Sequence, residues 1–302
     1  MDVVKTTGLT KHFKNVAAVS ELCINVPAGS LYGFLGPNGA GKTTTIKMLT
    51  GFLKPDAGKF EIMGESVDFG DSAYMKHIGF LPDVPSYYNY MSGKEFLSMC
   101  AHFHKADGSN VPGIIEKTGL GKFAARKIGS YSRGMKQRLG VAQTLVNDPA
   151  ILILDEPVSA LDPVGRKEIL DMLASLKGSK TIFFSTHILE DVERICSHAA
   201  IINEGRLLHE GTIKDIKALG GHGRILLSLE SSADILSGAL STAGWVVDFS
   251  FDGTSYIIEP IGYDEAGRGI PVLLQQTGAV LKRYEQASAT LEDIFVKAVN
   301  SI

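Results

Sequence analysis

The residues Gly36-Pro37-Asn38-Gly39-Ala40-Gly41-Lys42-Thr43 carry the sharpest chemical signal in the sequence. Their pattern, G-x-x-x-x-G-K-[ST], is a phosphate-binding loop when a strand precedes it and a helix follows. Both are expected here: Leu31 to Leu35 is a short apolar run, and Thr44 to Thr50 reads as a helix. Glycines let consecutive backbone N–H groups turn toward a β-phosphate, and the helix start adds the positive end of its dipole. Lys42 offers a point charge to the β- and γ-phosphates and Thr43 a hydroxyl to Mg²⁺, so Gly36 through Thr44 is the expected ATP site. The plainer reading is a Gly-rich strand-to-helix turn, and the flanking elements weigh against it.

A second signal lies downstream, where the apolar run Ile151-Leu152-Ile153-Leu154 ends in Asp155-Glu156. This puts Asp155 at the carboxyl end of a buried strand, where open α/β sheets hold their ligands. Burying an unpaired carboxylate is costly. A Mg²⁺ shared by Thr43 and Asp155 removes that cost, while Glu156, one residue on, is placed to polarise an attacking water. An Asp-Glu after a strand is usually an ordinary loop start; beside a phosphate-binding loop the balance reverses.

The elements that must hold these groups follow an α/β rhythm. Leu31 to Leu35, Ala150 to Leu154, Thr181 to Phe184 and Ala199 to Ile202 read as buried strands among helical patterns through about residue 205. Gly93 to about Gly134 is mostly helical in pattern, with Lys94 to His104 a helix and Gly119-Leu120-Gly121 a break. A helical insert over about 93–140 is therefore expected. After Gly220-Gly221-His222-Gly223 come a strand (Arg224 to Glu230), a helix (Ala233 to Ala243), two strands (Trp245 to Phe251, Thr254 to Glu259), a helix and a strand (Ala279 to Tyr284). That β-α-β-β-α-β order is ferredoxin-like. Leu291 to Val299 reads as a terminal amphipathic helix. The expected fold class is α/β: a P-loop NTPase domain over 1–215 and a small α+β accessory domain over 220–302.

Tyr131-Ser132-Arg133-Gly134-Met135-Lys136-Gln137-Arg138, upstream of the acid pair, resembles the signature sequence of ABC transporter ATPases. The resemblance extends to Ser159-Ala160-Leu161-Asp162, to Ser185-Thr186-His187 and to Phe13 in Leu9-Thr10-Lys11-His12-Phe13, covering about residues 3–210. It implies that two such domains pack head to tail, with Ser132 and Gly134 of one chain on the γ-phosphate of ATP held by Gly36 to Thr43 of the other. Ser132 can donate a hydroxyl, and the residues after it can open a helix whose first N–H groups face the anion. A serine there is also an ordinary helix N-cap. The resemblance further implies that His187 meets the γ-phosphate or the attacking water, that Phe13 stacks on adenine, and that Asp162 helps hold the pair in register. The plain alternatives are a loop histidine, core packing, and a helix start before Pro163.

Some positions depart from the family pattern. Asp83, in Ile78-Gly79-Phe80-Leu81-Pro82-Asp83, stands where the family usually has Gln; it can ligate Mg²⁺, but it cannot donate a hydrogen bond as an amide does. In the signature, Arg133 replaces a common Gly, Tyr131 a common Leu and Met135 a common Gln. None of these removes Lys42, Asp155, Glu156 or His187, so hydrolysis is expected to survive.

The rest of the chain bounds the partners. Lys and Arg total 30 against 33 Asp and Glu, a net charge of −3, which supplies no general basic field for nucleic acid. Cys23, Cys100 and Cys196 are odd in number and widely spaced in apolar surroundings, and are expected to be reduced and buried. No apolar run approaches the ~18 residues of a spanning helix, so membrane contact is expected through another protein. The resemblance implies two ATPase subunits, a homodimer or a paired relative, on the cytoplasmic face of the membrane. Each would dock on an integral membrane permease subunit of an ABC-2-type exporter. The C-terminal extension ending in Thr290-Leu291-Glu292-Asp293-Ile294-Phe295 is like that of such exporters, and Tyr87-Tyr88-Asn89-Tyr90 falls where the family receives a membrane-subunit helix. The rivals are a non-transport ATPase of the same superfamily and a small-molecule kinase. The first usually carries a second ATPase domain or a long coiled coil, and the second would have no use for Ser132 to Gly134.

Overall fold

The computed structural model describes residues 1–159, 161–219, 223–231, 234–287 and 290–300. The expectations that touch Ala160, Gly220 to His222 and Ala233 lie outside them. The chain divides into two compact units, Met1–Ile213 and Lys214–Ile302.

The first unit runs, in chain order, through β1 (Asp2–Phe13), β2 (Val16–Leu22), β3 (Asn25–Pro27), β4 (Leu31–Leu35), α1 (Lys42–Leu49), β5 (Ala57–Ile62), β6 (Glu65–Ser66) and β7 (Ile78–Leu81). It continues with α2 (Gly93–Phe103), α3 (Val111–Lys117), α4 (Arg133–Thr144), β8 (Ile151–Leu154), α5 (Pro163–Ser175), β9 (Thr181–Thr186), α6 (Leu189–Ile195), β10 (His198–Asn203) and β11 (Arg206–Thr212). Two sheets result. One is antiparallel, ordered β2-β1-β5-β6 with β3 also on β1; the other is ordered β11-β10-β4-β9-β8-β7 and is parallel except at β11.

Every residue of β4, β8 and β9 is buried, the pattern of parallel strands covered on both faces. Register aligns their carboxyl ends: Leu35 pairs with Thr186, Phe184 with Leu154 and Leu154 with Leu81. The loops after β4, β7, β8 and β9 therefore emerge on one edge. Behind it, Tyr32, Phe34 and Phe183 pack their rings 5.1–5.6 Å apart, joined by Ile46, Met48 and Leu49 of α1 and by Leu9 and Leu22 of the antiparallel sheet. Each such fully buried side chain contributes about 1.5–3 kcal/mol.

α2 starts one residue earlier than expected because Ser92 and Glu95 form a capping box, with Glu95 N donating to Ser92 Oγ (3.2 Å) and Ser92 N to Glu95 Oε2 (2.6 Å). The insert breaks at Gly119, whose φ of +68° follows α3, and its last helix, α4, runs on to Thr144. α5 and α6 are bound by two ion pairs, Arg166 to Asp191 at 2.6 Å and Arg194 to Asp171 at 2.6 Å. Of the cysteines, Cys100 is buried and Cys196 half-buried, but Cys23 is exposed, against expectation. It sits just past the end of β2, and its Sγ accepts from the Gly8 N–H at 3.1 Å.

After α7 (Ile213–Ala218), the second unit contains β12 (Arg224–Leu229), α8 (Ser237–Leu240), β13 (Val246–Phe251), β14 (Ser255–Pro260), α9 (Tyr263–Thr277), β15 (Leu281–Ala287) and α10 (Leu291–Asn300). The strands form an antiparallel sheet ordered β13-β14-β12-β15. α8 is far shorter than the helix expected over 233–243. The buried Tyr256 explains this: its hydroxyl accepts from Ile235 N (2.8 Å) and Leu236 N (3.0 Å) and donates to Asp234 Oδ1 (2.8 Å), so the backbone before Ser237 is committed elsewhere. β15 is shifted two or three residues downstream of the apolar run that suggested it.

Candidate nucleotide site

The loop after β4 is shaped by contacts that only glycine tolerates. A Cβ on Gly36 would lie 2.5 Å from the Ile202 carbonyl oxygen, and one on Gly41 2.4 Å from that of Ala18, with Gly41 also at φ +102°. Lys42 opens α1, two residues before the expected start at Thr44, and the helix has neither a capping side chain nor an acid in its first turn. Its first N–H groups and dipole are left facing the loop. Lys42 is 5% exposed. Its Nζ donates to Gly36 O (2.8 Å) and Pro37 O (3.1 Å) and stands 3.4 Å from Glu156 Oε1.

Asp155 and Glu156 follow β8 on the same edge. Asp155 is buried, its carboxylate accepts from Ser185 Oγ at 2.6 Å, and its N–H donates to Leu81 O at 2.8 Å. Ser185 Oγ in turn accepts from Glu156 N at 2.9 Å. Glu156 has φ +47°, a left-handed conformation uncommon outside glycine, and Ser185 holds its backbone there. The Glu156 carboxylate lies 3.1 and 3.2 Å from His187 Nδ1, just past the end of β9. Lys42, Asp155, Glu156 and His187, singled out separately in the sequence, thus meet in one network. Ser185 is the residue whose role sequence reasoning missed. Its signal was available: a hydroxyl in a wholly buried strand must find a partner.

These features agree with the comparisons to known proteins. A family model described as ABC transporter matches residues 19–159. The ABC transporter ATP-binding protein YxlF of Bacillus subtilis (strain 168), itself uncharacterised, is 35% identical over 97% of this chain and 98% of its own. The chain belongs to the ABC transporter ATP-binding family. This ABC ATPase is also 36% identical to the bacitracin transport ATP-binding protein BcrA of Bacillus licheniformis, over 98% of this chain and 97% of that one. Among solved structures, cbiO1 from Clostridium perfringens, described as part of the ABC transporter complex cbiONQ, superposes with a TM-score of 0.65 at 27% identity. It covers 72% of this chain and 91% of its own. The P-loop NTPase fold of the ABC ATPase cassettes is thereby assigned.

Ser132, Gly134, Asp162, Asp83 and Phe13, also singled out in the sequence, make no hydrogen bond or ion pair with that network among the described residues. Ser132 caps α4, accepting from Met135 N at 3.2 Å, and with Gly134 it lines an open cleft of about 650 Å³ that Leu161, Asp162 and Glu168 also border. Among the described residues no hydrogen bond or ion pair joins Ser132 or Gly134 to Gly36–Thr44. Asp162 is the N-cap of α5, accepting from Gly165 N at 3.3 Å. Asp83 is exposed and shares a smaller cleft, about 140 Å³, with Glu156 and Arg133. Phe13 ends β1, opposite Val16 on β2, the strand whose Ala18 carbonyl abuts Gly41. Its ring is 49% exposed and has Lys11 Nζ 5.8 Å from its centroid. The tyrosine cluster divides. Tyr87 donates to Lys136 O at 2.8 Å and meets Phe96 edge-on, and burial raises its pKa well above the usual value, whereas Tyr88 and Tyr90 are exposed.

Proposed function

We propose that this ABC ATPase works as a pair of chains on the cytoplasmic face of a membrane, docked on separate membrane subunits and driving export of a small molecule. The observation that carries the reading is the division of the ATP-handling groups. Lys42, Asp155, Glu156 and His187 converge on one edge, while Ser132 and Gly134 line a different cleft. A second chain, placed head to tail, supplies the missing half of each site.

In this reading ATP lies on Gly36 to Thr44, with Phe13 against its adenine. The Lys42 ammonium exchanges its loop carbonyls for phosphate oxygens, which its three donors allow. Thr43, Asp155 and Asp83 are the oxygen donors for Mg²⁺, which when bound neutralises phosphate charge. They fit the role: among the described residues the Thr43 side chain and Asp83 make no hydrogen bond, and the Asp155 carboxylate accepts only that of Ser185. Glu156 accepts a proton from the attacking water, and His187, against the same carboxylate, fixes its direction. Tyr88 and Tyr90, with exposed Val84, offer an aromatic patch to a membrane subunit. Export is supported by the likeness to the bacitracin transport protein, which extends through the second unit.

Mixed chains test the composite site. Lys42→Ala should cripple one face and Gly134→Asp the other, leaving each variant inactive alone. In an equimolar mixture, half of the pairs would hold one intact site, so about a quarter of wild-type hydrolysis should return. A mixture as silent as its components would refute the head-to-tail arrangement.

A further inference from the structure

β15 is an outer strand of the second unit's sheet, paired only with β12 among the described strands, and residues 281–286 are all exposed. Sheets guard such edges with bulges, charges or a cover, because a bare row of N–H and C=O groups recruits another strand. The opposite edge, β13, has its guard in a register shift between Val246 and Asp248. β15 also has a register shift, at its start between Leu281 and Arg283, but from Arg283 to Ala287 its register with β12 is unbroken, and there it is guarded only by the charges of Arg283 and Glu285.

The order of those charges is self-complementary. A second copy added antiparallel is related by a two-fold axis perpendicular to the sheet, so residues opposite one another must share a face. Arg283 and Glu285 share the face of Ser228 and Leu226, their partners on β12, while Tyr284 shares that of Leu227. With Tyr284 on the axis, Arg283 of each chain stands opposite Glu285 of the other, twice over. Centring on Arg283 or on Glu285 instead sets like charges face to face, which destabilises a cross-strand pair. In the single chain Arg283 pairs with Glu285 along its own strand. That pair is exposed, and exchanging it for cross-strand partners sacrifices little.

We propose that β15 is a homodimerisation edge: two copies of this chain join their four-stranded sheets into one continuous sheet through Leu281–Ala287, with Tyr284 on the two-fold axis. The contact involves no residue of the ATP site and needs no nucleotide, which separates it from the head-to-tail pairing. A single short ladder buries less than the ~1,200–2,000 Å² of a standard interface, so the association is concentration-dependent.

Sedimentation velocity of the full chain in EDTA, without nucleotide and over a wide concentration range, tests this. The wild type should self-associate. Arg283→Glu and Glu285→Arg should each weaken association on the order of tenfold. Their equimolar mixture should regain wild-type affinity, because one strand then carries two acids at these positions and the other two bases. A wild type that stays monomeric, variants that associate unchanged, or a mixture that does not recover would each overturn the proposal. If a reversal variant loses its fold, Tyr284→Cys in a Cys23→Ser background replaces it. Efficient cross-linking by a short bismaleimide supports the register, and its absence overturns it. The Lys42/Gly134 mixture reports separately on the ATP site, so either idea can fail alone.

Discussion

Replacing Ser185 by alanine should cost more than any surface substitution nearby, because one hydroxyl serves both acids. Ser185 Oγ donates to the buried Asp155 carboxylate at 2.6 Å and accepts from Glu156 N at 2.9 Å. A hydrogen bond to a charged group is worth about 1.5–3 kcal/mol, and an orphaned buried N–H costs about 1–3 kcal/mol. The two losses share one site and do not simply add, so about 2–4 kcal/mol of the first unit's stability is at stake. For a unit of this size that is a fall of roughly 4–16 °C in its Tm. Activity should fall further than stability alone explains. Glu156 would lose the contact that holds its backbone at φ +47°, and its carboxylate would leave the line shared with His187 and Lys42. Calorimetry and steady-state ATP hydrolysis well below the lowered Tm separate the two effects, with nucleotide affinity expected to stay near wild type. A variant with unchanged Tm and unchanged kcat would refute the reasoning that Ser185 organises the acid pair.

Further outcomes follow from the same geometry. Glu156→Gln should retain ATP affinity while turnover drops by about 10²–10⁴, the span of a lost general base, and fast hydrolysis by this variant would remove Glu156 from that role. Gly41→Ala would place its methyl 2.4 Å from the Ala18 carbonyl oxygen at a backbone angle alanine disfavours, so nucleotide binding measured by calorimetry should be lost; retention would mean that the loop adapts. With a thiol reagent at pH 8 the native chain should react quickly at Cys23 alone and at all three cysteines once unfolded. Burial pushes the Cys100 thiol up to about 11 and that of Cys196 higher still, which keeps both out of the reactive thiolate form. Paired Tyr88→Asp and Tyr90→Asp changes should leave the isolated chain's hydrolysis intact and weaken co-purification with its membrane subunits; undiminished co-purification would point the docking patch elsewhere.

The site was more legible than its supports. Gly36 to Thr43 and Asp155-Glu156 stand out because phosphate and metal chemistry demand rare residue types at fixed spacing, and the flanking strands are too apolar to be mistaken. The antiparallel sheet of the first unit, β1 to β3 with β5 and β6, escaped the sequence reading, since its partly exposed strands, with register shifts along β1, leave only a broken alternation. Local pattern also failed at α8, where the competing bonds come from Tyr256, some 20 residues away in the chain. It failed again at Cys23, whose exposure depends on where β2 ends. Ser185 was quoted within a motif, but its double duty depends on β8 and β9 being neighbours, a fact of topology that spacing does not contain.

The paired salt links between α5 and α6 give the first unit a mechanical character. Asp162 caps one end of α5, His187 lies two residues before α6, and Arg166–Asp191 and Arg194–Asp171 join the two helices at separate points. Of the two links, Arg166–Asp191 is the strong one, because Asp191 is buried, whereas the exposed Arg194–Asp171 pair adds little. A displacement at the start of α5 is therefore handed to α6 chiefly through one clasp, near the beginning of both helices.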